Sequence, residues 1–105
     1  MIQYNFVKQF TKYPGPRFIR LGKHSGEEFR ENVLRPIFKS EDIIDIDATG
    51  VLSFSPSFLD EAFSPLAEEY GLDTFKEKIK FHSQDDKVLY KKMMSYVSRY
   101  LERDK

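Results

Sequence analysis

The segment DIIDIDATG, Asp42–Gly50, constrains the fold of this chain more than any other stretch. Its three isoleucines are β-branched and bounded by charged residues, a pattern typical of a buried central strand that ends near Asp47. The closing glycine permits backbone angles that a side chain would resist. Shortly after it, Ser55 precedes Pro56, and proline is favoured at the first position of a helix. The sequence therefore predicts a buried strand that leads through a turn into a serine-capped helix.

Three other segments show the two-residue periodicity of β-strands. They cover residues 2–10, 17–21 and 75–81. Between the first two lies KYPGPRF, whose prolines and glycine predict a tight turn, so we expect these two strands to pair as a hairpin. The third segment carries three lysines, which discourage stray pairing and suggest a place near the edge of the sheet.

A capping-box pattern predicts where the first helix begins. Ser25 is a candidate N-cap, and Glu28 stands three residues later, as the capping box requires. We expect this helix to run from about Gly26 to about Arg35. It should end or kink there because the ring nitrogen of Pro36 cannot donate the next backbone hydrogen bond.

Two further helices follow from apolar residues at helical spacing. The helix that begins at Pro56 contains Pro65, where we expect a kink or a break, and Gly71 predicts its end. The other helix covers residues 85–104. Its apolar stripe consists of Leu89, Met93, Tyr96, Val97 and Tyr100.

The predicted elements follow the order strand, strand, helix, strand, helix, strand, helix. Such alternation predicts an α/β fold with a mixed sheet, parallel in its core and antiparallel at its start, and with helices packed on it. At 105 residues, the chain is expected to form one domain over residues 1–105.

Composition excludes several classes of site and partner. The absence of cysteine rules out disulfides, thiolate metal sites and cysteine nucleophiles. The 17 basic and 17 acidic residues balance, so we expect no nucleic-acid partner. No apolar run approaches the roughly 20 residues of a membrane span, and the N-terminus lacks signal-peptide features, so we expect a soluble cytoplasmic protein without a membrane partner. The two histidines, His24 and His82, stand at predicted element boundaries, where we expect surface or capping roles.

Three motifs together resemble a known family. The segments Ile43–Asp47, Thr49–Val51 and Ser57–Glu61 resemble the STAS-like domains of unknown function in bacteria and, more distantly, the STAS domains of anti-sigma-factor antagonists. Those domains share an apolar strand that ends in aspartate, a Gly-Val pair and a serine at the start of a helix. The resemblance is most specific from Ile43 to Gly71.

The resemblance implies a STAS-like fold and a regulatory function without catalysis, metal or cofactor. In the antagonist family, a histidine-kinase-like ATPase phosphorylates the helix-start serine. The unphosphorylated domain binds its partner, and the phosphorylated domain releases it. Ser57 matches that serine by position, and Ser55 is one step out of register. The resemblance thus implies a protein partner, namely such an ATPase or a protein that it controls. This chain departs from the antagonist pattern at two positions, because the acidic residue before the serine and the glycine after it are both replaced.

We expect the partner to dock on the turn after the central strand and on the first turns of the following helix. The predicted surface consists of Thr49, Gly50, Ser53, Ser55, Ser57, Asp60 and Glu61. With Ser55 as N-cap, Ser57 is the second helical residue, where free backbone N–H groups and the helix dipole favour negative charge. A phosphate there would change the surface potential while the domain stays folded. The simplest roles are a helix cap for Ser55 and an ordinary first-turn residue for Ser57.

Two other functions remain open. The segment Asp45–Thr49 fits the Asp-x-Asp-x-Thr pattern of haloacid-dehalogenase-type phosphotransferases, in which the first aspartate, here Asp45, attacks phosphorus and the second, here Asp47, handles the proton. That chemistry also needs a further acidic pair for magnesium, and the pair Asp60 and Glu61 is predicted to lie on a helix. The other alternative is an accessory domain associated with nucleic acid, which salt-dependent binding to DNA or RNA would reveal.

Overall fold

The computed structural model describes residues 1–103, and within them three short parallel strands form one sheet. The strands are β1 (Ile2–Asn5), β2 (Ile44–Asp47) and β3 (Ile79–His82), arranged in the order β1-β2-β3. Ile44 pairs with Ile2 on one side and with Ile79 on the other. The predicted central position of β2 is therefore confirmed, and β3 lies at an edge, as its lysines suggested.

Helical segments of several kinds connect the strands. They are α1 (Phe6–Gln9), a 3-10 turn (Ile19–Leu21), α2 (Gly26–Glu28), a π-helical segment (Phe29–Leu34), α3 (Arg35–Phe38), α4 (Pro56–Tyr70), α5 (Leu72–Lys78) and α6 (Leu89–Arg103). The continuous helical run from α2 to α3 joins β1 to β2, and α4 with α5 joins β2 to β3. These are the crossover connections that parallel neighbours require. Within residues 1–103, no helix is both long and apolar enough to cross a lipid bilayer.

The sheet has one buried face and one open face. On the buried face, Ile44, Ile46 and Phe81 are at most 2% exposed. Helices pack against this face, as the edge-on rings of Tyr4 and Phe29 show at a centroid distance of 5.7 Å. The open face is polar and consists of Gln3, Asn5, Asp45, Asp47, Lys80 and His82. The domain therefore has two layers, one of sheet and one of helices.

Phenylalanine rings fill the space between the two layers. Phe63 of α4 contacts Phe81 of β3 at a centroid distance of 4.9 Å, and Phe6 contacts Phe29 at 5.0 Å. Phe6, Phe29 and Phe63 are at most 1% exposed. Burying each such ring contributes about 2–3 kcal/mol, so these aromatic contacts hold α4 against the sheet.

The predicted hairpin at the N-terminus is wrong, and so is the antiparallel start of the sheet. Residues 17–21 form no strand; their backbone bonds to the start of α2, since Gly26 and Glu27 donate to the carbonyl oxygens of Pro16 and Arg17. Two apolar residues of this segment also face outward, since Ile19 is 49% and Leu21 58% exposed. β1 pairs with β2 instead, and in this register Tyr4 lies over the core at 8% exposure.

The predicted strand over residues 75–81 is only half correct. Residues 75–78 belong to α5, and the strand begins at Ile79. Gly71 ends α4 with a φ of 92°, as predicted, and the chain then starts a second helix at once. Leu72, Phe75 and Ile79 are spaced by three and four residues, so the same apolar residues fit a helix as well as a strand.

Neither internal proline ends a helix, so the helix end expected at Pro36 and the break expected at Pro65 do not occur. The helical run continues through Pro36 to Phe38, because a π-helical turn precedes the proline and Arg35 donates to the carbonyl of Arg30, five residues earlier. Pro65 lies inside an unbroken α4. Its ring leaves the carbonyl oxygen of Glu61 without the usual helical donor, and the guanidinium of Arg30 donates to that oxygen instead.

Local capping predictions are confirmed. The Ser25 hydroxyl accepts a bond from the backbone of Glu28 at 3.0 Å, and the Ser55 hydroxyl accepts one from Phe58 at 3.1 Å. The predicted last helix begins at Leu89, four residues later than expected, and Asp104 at its predicted end lies outside the described residues. Of its apolar stripe, Leu89, Met93 and Val97 are buried, whereas Tyr96 and Tyr100 are half-buried.

Candidate functional site

The turn after β2 is held by hydrogen bonds to the loop after β3. Asp47 accepts a bond from the backbone of Thr49 at 2.9 Å, and Thr49 in turn accepts one from the backbone of Gln84 at 2.9 Å. Gly50, at a φ of 94°, donates to the carboxylate of Asp85 at 2.7 Å. Hydrogen bonds from the side chain and backbone of Thr49 lower the pKa of Asp47 below its ordinary value. The turn therefore has a defined conformation, which these hydrogen bonds hold.

The loop between this turn and α4 exposes an apolar side chain. Leu52 is 66% exposed, although its backbone is anchored by a bond to the carbonyl of Lys12 at 3.3 Å. Ser53 beside it is exposed, and Phe54 turns inward, with its ring centroid 5.1 Å from that of Phe6. The loop therefore carries an exposed leucine on a backbone that is anchored to Lys12.

A cavity of about 540 Å³ lies behind this loop, at the carboxyl ends of β2 and β3. Its apolar lining includes Val51, Phe54 and Leu89, and its polar lining includes Asp85 and Lys92. In open parallel sheets, ligands bind beyond the carboxyl ends of the strands. The predicted surface therefore lies at the end of the sheet where such folds place their binding sites.

The two candidate serines have different environments. Ser55 is exposed, and its hydroxyl is the N-cap acceptor of the 15-residue helix α4. Ser57 is half-buried at the second helical position and lines a groove of about 480 Å³ between α4 and α6. Ser57 is therefore reachable from solvent, while Ser55 already has a structural role.

Asp60 and Glu61, also predicted for the interaction surface, bond within the protein. Asp60 is 7% exposed; its carboxylate lies 3.0 Å from the guanidinium of Arg17 and accepts a bond from the Ser64 hydroxyl at 2.8 Å. Glu61 pairs with Arg30 at 2.7 Å. The two carboxylates thus fix the base of α4 rather than reach outward. The partner arginines were missed by sequence reasoning, because they lie 31 to 44 residues away and carry no local signal.

The alternative catalytic residues, Asp45 and Asp47, lie on the open face beside a histidine. Parallel pairing sets His82 opposite Asp47, and its Nε2 lies 2.6 Å from a carboxylate oxygen of Asp45. His82 is exposed here, as expected for a surface residue, but its proximity to both aspartates was not foreseen. Across residues 1–103, no three His, Cys, Asp or Glu side chains are grouped so that they could hold a metal ion.

Comparison with known proteins assigns a family. A family model described as a STAS-like domain of unknown function matches residues 25–89, well over half of the chain. The match runs from the N-cap of α2 to the first residue of α6, so it includes β2, β3 and the whole predicted surface. No curated protein and no solved structure matches the chain. The chain belongs to the family of STAS-like domains of unknown function.

Proposed function

We propose that this protein is a regulatory module, without catalysis of its own, that binds a protein partner through the segment from Thr49 to Ser57, hereafter the β2–α4 surface. The observation that carries the proposal is the position of Ser57, half-buried at the second residue of a 15-residue helix and next to an exposed loop. A serine there can accept a phosphate without disturbing either the cap or the core.

The β2–α4 surface has the properties of a preformed docking site. Bonds from Gly50 to Asp85 and from Gln84 to Thr49 hold its first half in place. Leu52 offers exposed apolar area at its centre. Because the loop is already ordered, binding requires little further loss of conformational entropy. Next to this surface, Asp60 and Glu61 stabilise the first turns of α4 through their ion pairs with Arg17 and Arg30.

Phosphorylation of Ser57 would act as a release signal. The first turn of α4 presents backbone N–H groups without helical partners and the positive end of the helix dipole, so it tolerates added negative charge. A phosphate adds about 1.5 to 2 negative charges at neutral pH. The domain would stay folded while a partner docked over the first turn met a strong change in potential.

The proposed partner is a histidine-kinase-like ATPase, or a protein that such an ATPase controls. Support comes from membership of the STAS-like family and from the resemblance of the β2–α4 segment to anti-sigma-factor antagonists. In that scheme, the same partner binds the unmodified surface and phosphorylates Ser57.

Incubation with histidine-kinase-like ATPases of the source organism and ATP, followed by peptide mass spectrometry, tests the proposal. We expect phosphate on Ser57, and we expect Ser57→Asp to weaken partner binding at least about tenfold, or 1.4 kcal/mol. Ser95→Asp is a matched control, because it adds the same charge at an exposed position of α6. The proposal fails if no serine among Ser53, Ser55 and Ser57 is modified and Ser57→Asp binds like the wild type.

A further inference from the structure

We infer that the groove between α4 and α6 is an internal phosphate-binding site, in which the protein's own arginines hold a phosphate ester on Ser57. The inference rests on the proposed function, since the phosphate is the one proposed above. It adds what happens to that phosphate after transfer: it is bound in cis instead of projecting freely into solvent.

The α6 side of the groove presents one tyrosine and two arginines in a row. Tyr96, Arg99 and Arg103 are spaced by three and four residues, so they lie on one face of the helix. The guanidinium of Arg99 lies over the Tyr96 ring, 5.7 Å from its centroid. Arg103 reaches across to α4, where its Nη2 lies 3.6 Å from Asp60. Arginine on this face can therefore contact the first turns of α4.

The α4 side places Ser57 next to an anion, Asp60, that Arg103 already contacts. Ser57 and Asp60 are three residues apart in the helix, which makes them surface neighbours with Cβ atoms about 5–6 Å apart. Asp60 contacts both Arg17, from the segment before α2, and Arg103. A phosphoryl group on Ser57 extends further from the backbone than the Asp60 carboxylate, so the same guanidinium groups come within its reach.

The charged side chains that line the groove have a net positive charge of +1. Three arginines, Arg17, Arg99 and Arg103, face two carboxylates, Asp60 and Glu102. Each guanidinium carries five N–H donors, and Arg103 commits few of them, since its side chain is 69% exposed. Among residues 1–103, Arg99 has no ion-pair partner, and its guanidinium contacts Tyr96. Arginine binds phosphate through paired charge-assisted hydrogen bonds, which are stronger than neutral ones.

Capture of the phosphate would join two parts of the surface. The modified Ser57 would draw the exposed Arg103 and Arg99 inward, so α4 and the last turns of α6 would become linked by new bonds. A partner would then meet a surface altered at both helices, and not only an added charge. The phosphorylated protein would therefore differ from the unmodified protein in the contacts between α4 and α6.

Phosphorus-31 NMR of protein with phosphoserine introduced at position 57 during translation tests the inference. Nearby arginines favour the dianion, so we expect the second phosphate pKa, ordinarily about 6, to be lower by about one unit than in Arg99→Gln with Arg103→Gln. The charge-matched control is Arg20→Gln with Lys91→Gln, which removes two exposed positive charges outside the groove and should keep the lowered pKa.

An equal phosphate pKa in the wild-type and groove-variant backgrounds would overturn the inference. So would an equal rise of the pKa in the control, because that would show a general effect of net charge. Single Arg99→Gln, whose guanidinium contacts Tyr96, provides a second variant if the double change unfolds α6. Since the phosphate is installed without a kinase, this result is independent of whether a partner ATPase ever modifies Ser57.

Discussion

Replacing Arg30 by methionine tests how α4 tolerates a proline in its interior. The guanidinium of Arg30 pairs with the Glu61 carboxylate at 2.7 Å and donates to the Glu61 carbonyl, which Pro65 leaves without a helical donor. Methionine keeps most of the volume of the stem but removes both interactions and also the ion pair with Glu31 at 2.9 Å; Glu31 keeps its pair with Arg35. We therefore expect the variant to deprive two groups of the Arg30 guanidinium, namely the Glu61 carboxylate and the Glu61 backbone carbonyl.

The magnitude of this loss follows from burial. The side chains of Arg30 and Glu61 are 11% and 14% exposed, and removing one partner of a buried ion pair costs about 3–5 kcal/mol. Arg17 stays within 3.3 Å of Glu61 and compensates in part. An unsatisfied carbonyl adds about 1–3 kcal/mol if solvent cannot reach it. We expect a net loss of about 3 kcal/mol in the free energy of unfolding.

Urea unfolding of a double-mutant cycle with Pro65→Ala separates the two contributions. Alanine at position 65 restores a backbone N–H that can donate to the Glu61 carbonyl. Arg30→Met should therefore cost about 1 kcal/mol less in the Pro65→Ala background than in the wild type. Arg20→Met, at an exposed arginine, is the control and should change stability by less than about 0.5 kcal/mol. A loss below about 1 kcal/mol for Arg30→Met, or an identical loss in both backgrounds, would refute the reasoning.

The β2–α4 surface and the open face lead to three other expectations. Leu52→Asp should weaken partner binding about tenfold or more without lowering the thermal midpoint, because Leu52 is 66% exposed; a large fall in the midpoint would contradict this. Because its pKa is lowered in the folded state, Asp47 stabilises the fold at pH values above its ordinary pKa of 3.8. This contribution to stability is lost as the pH falls through the lower pKa of the folded state. Asp47→Asn should therefore lose less stability than the wild type below about pH 4 in urea titrations. Magnesium-dependent hydrolysis of p-nitrophenyl phosphate that Asp45→Asn abolishes would refute the regulatory proposal, which predicts none.

Local signals in the sequence were sufficient for the elements whose stability is decided within a few residues. Ser25 and Ser55 are predictable as caps because a cap hydroxyl and the backbone N–H that donates to it lie three residues apart. The isoleucines of β2 identified the central strand because burial on one face imposes their spacing. Ser57 lies in the first turn of α4, as the same short-range reasoning predicts, while its phosphorylation stays a prediction.

Long-range pairing decided the features that were missed. Residues 17–21 alternate like a strand, yet their backbone bonds to the start of α2. The local sequence of the segment does not indicate whether it pairs with a strand or with a helix start. The tolerance of Pro65 depends on Arg30, which is 35 positions away in the chain. The contact between His82 and Asp45 requires knowing that β2 and β3 run parallel in a given register. Such contacts bring together residues whose local sequence is uninformative.

The two-sided sheet makes the strands sensitive to register. Gln3, Asp45 and Lys80 lie in one row across the open face, and Asn5, Asp47 and His82 lie in the next. Slipping one strand by a single residue would send its apolar side chains into water and its polar ones under the helices. This penalty restricts the inner positions to apolar residues, whereas it does not fix which polar residues occupy the outer rows. Two proteins of this family could therefore share a core and still differ in the polar side chains on the open face of the sheet.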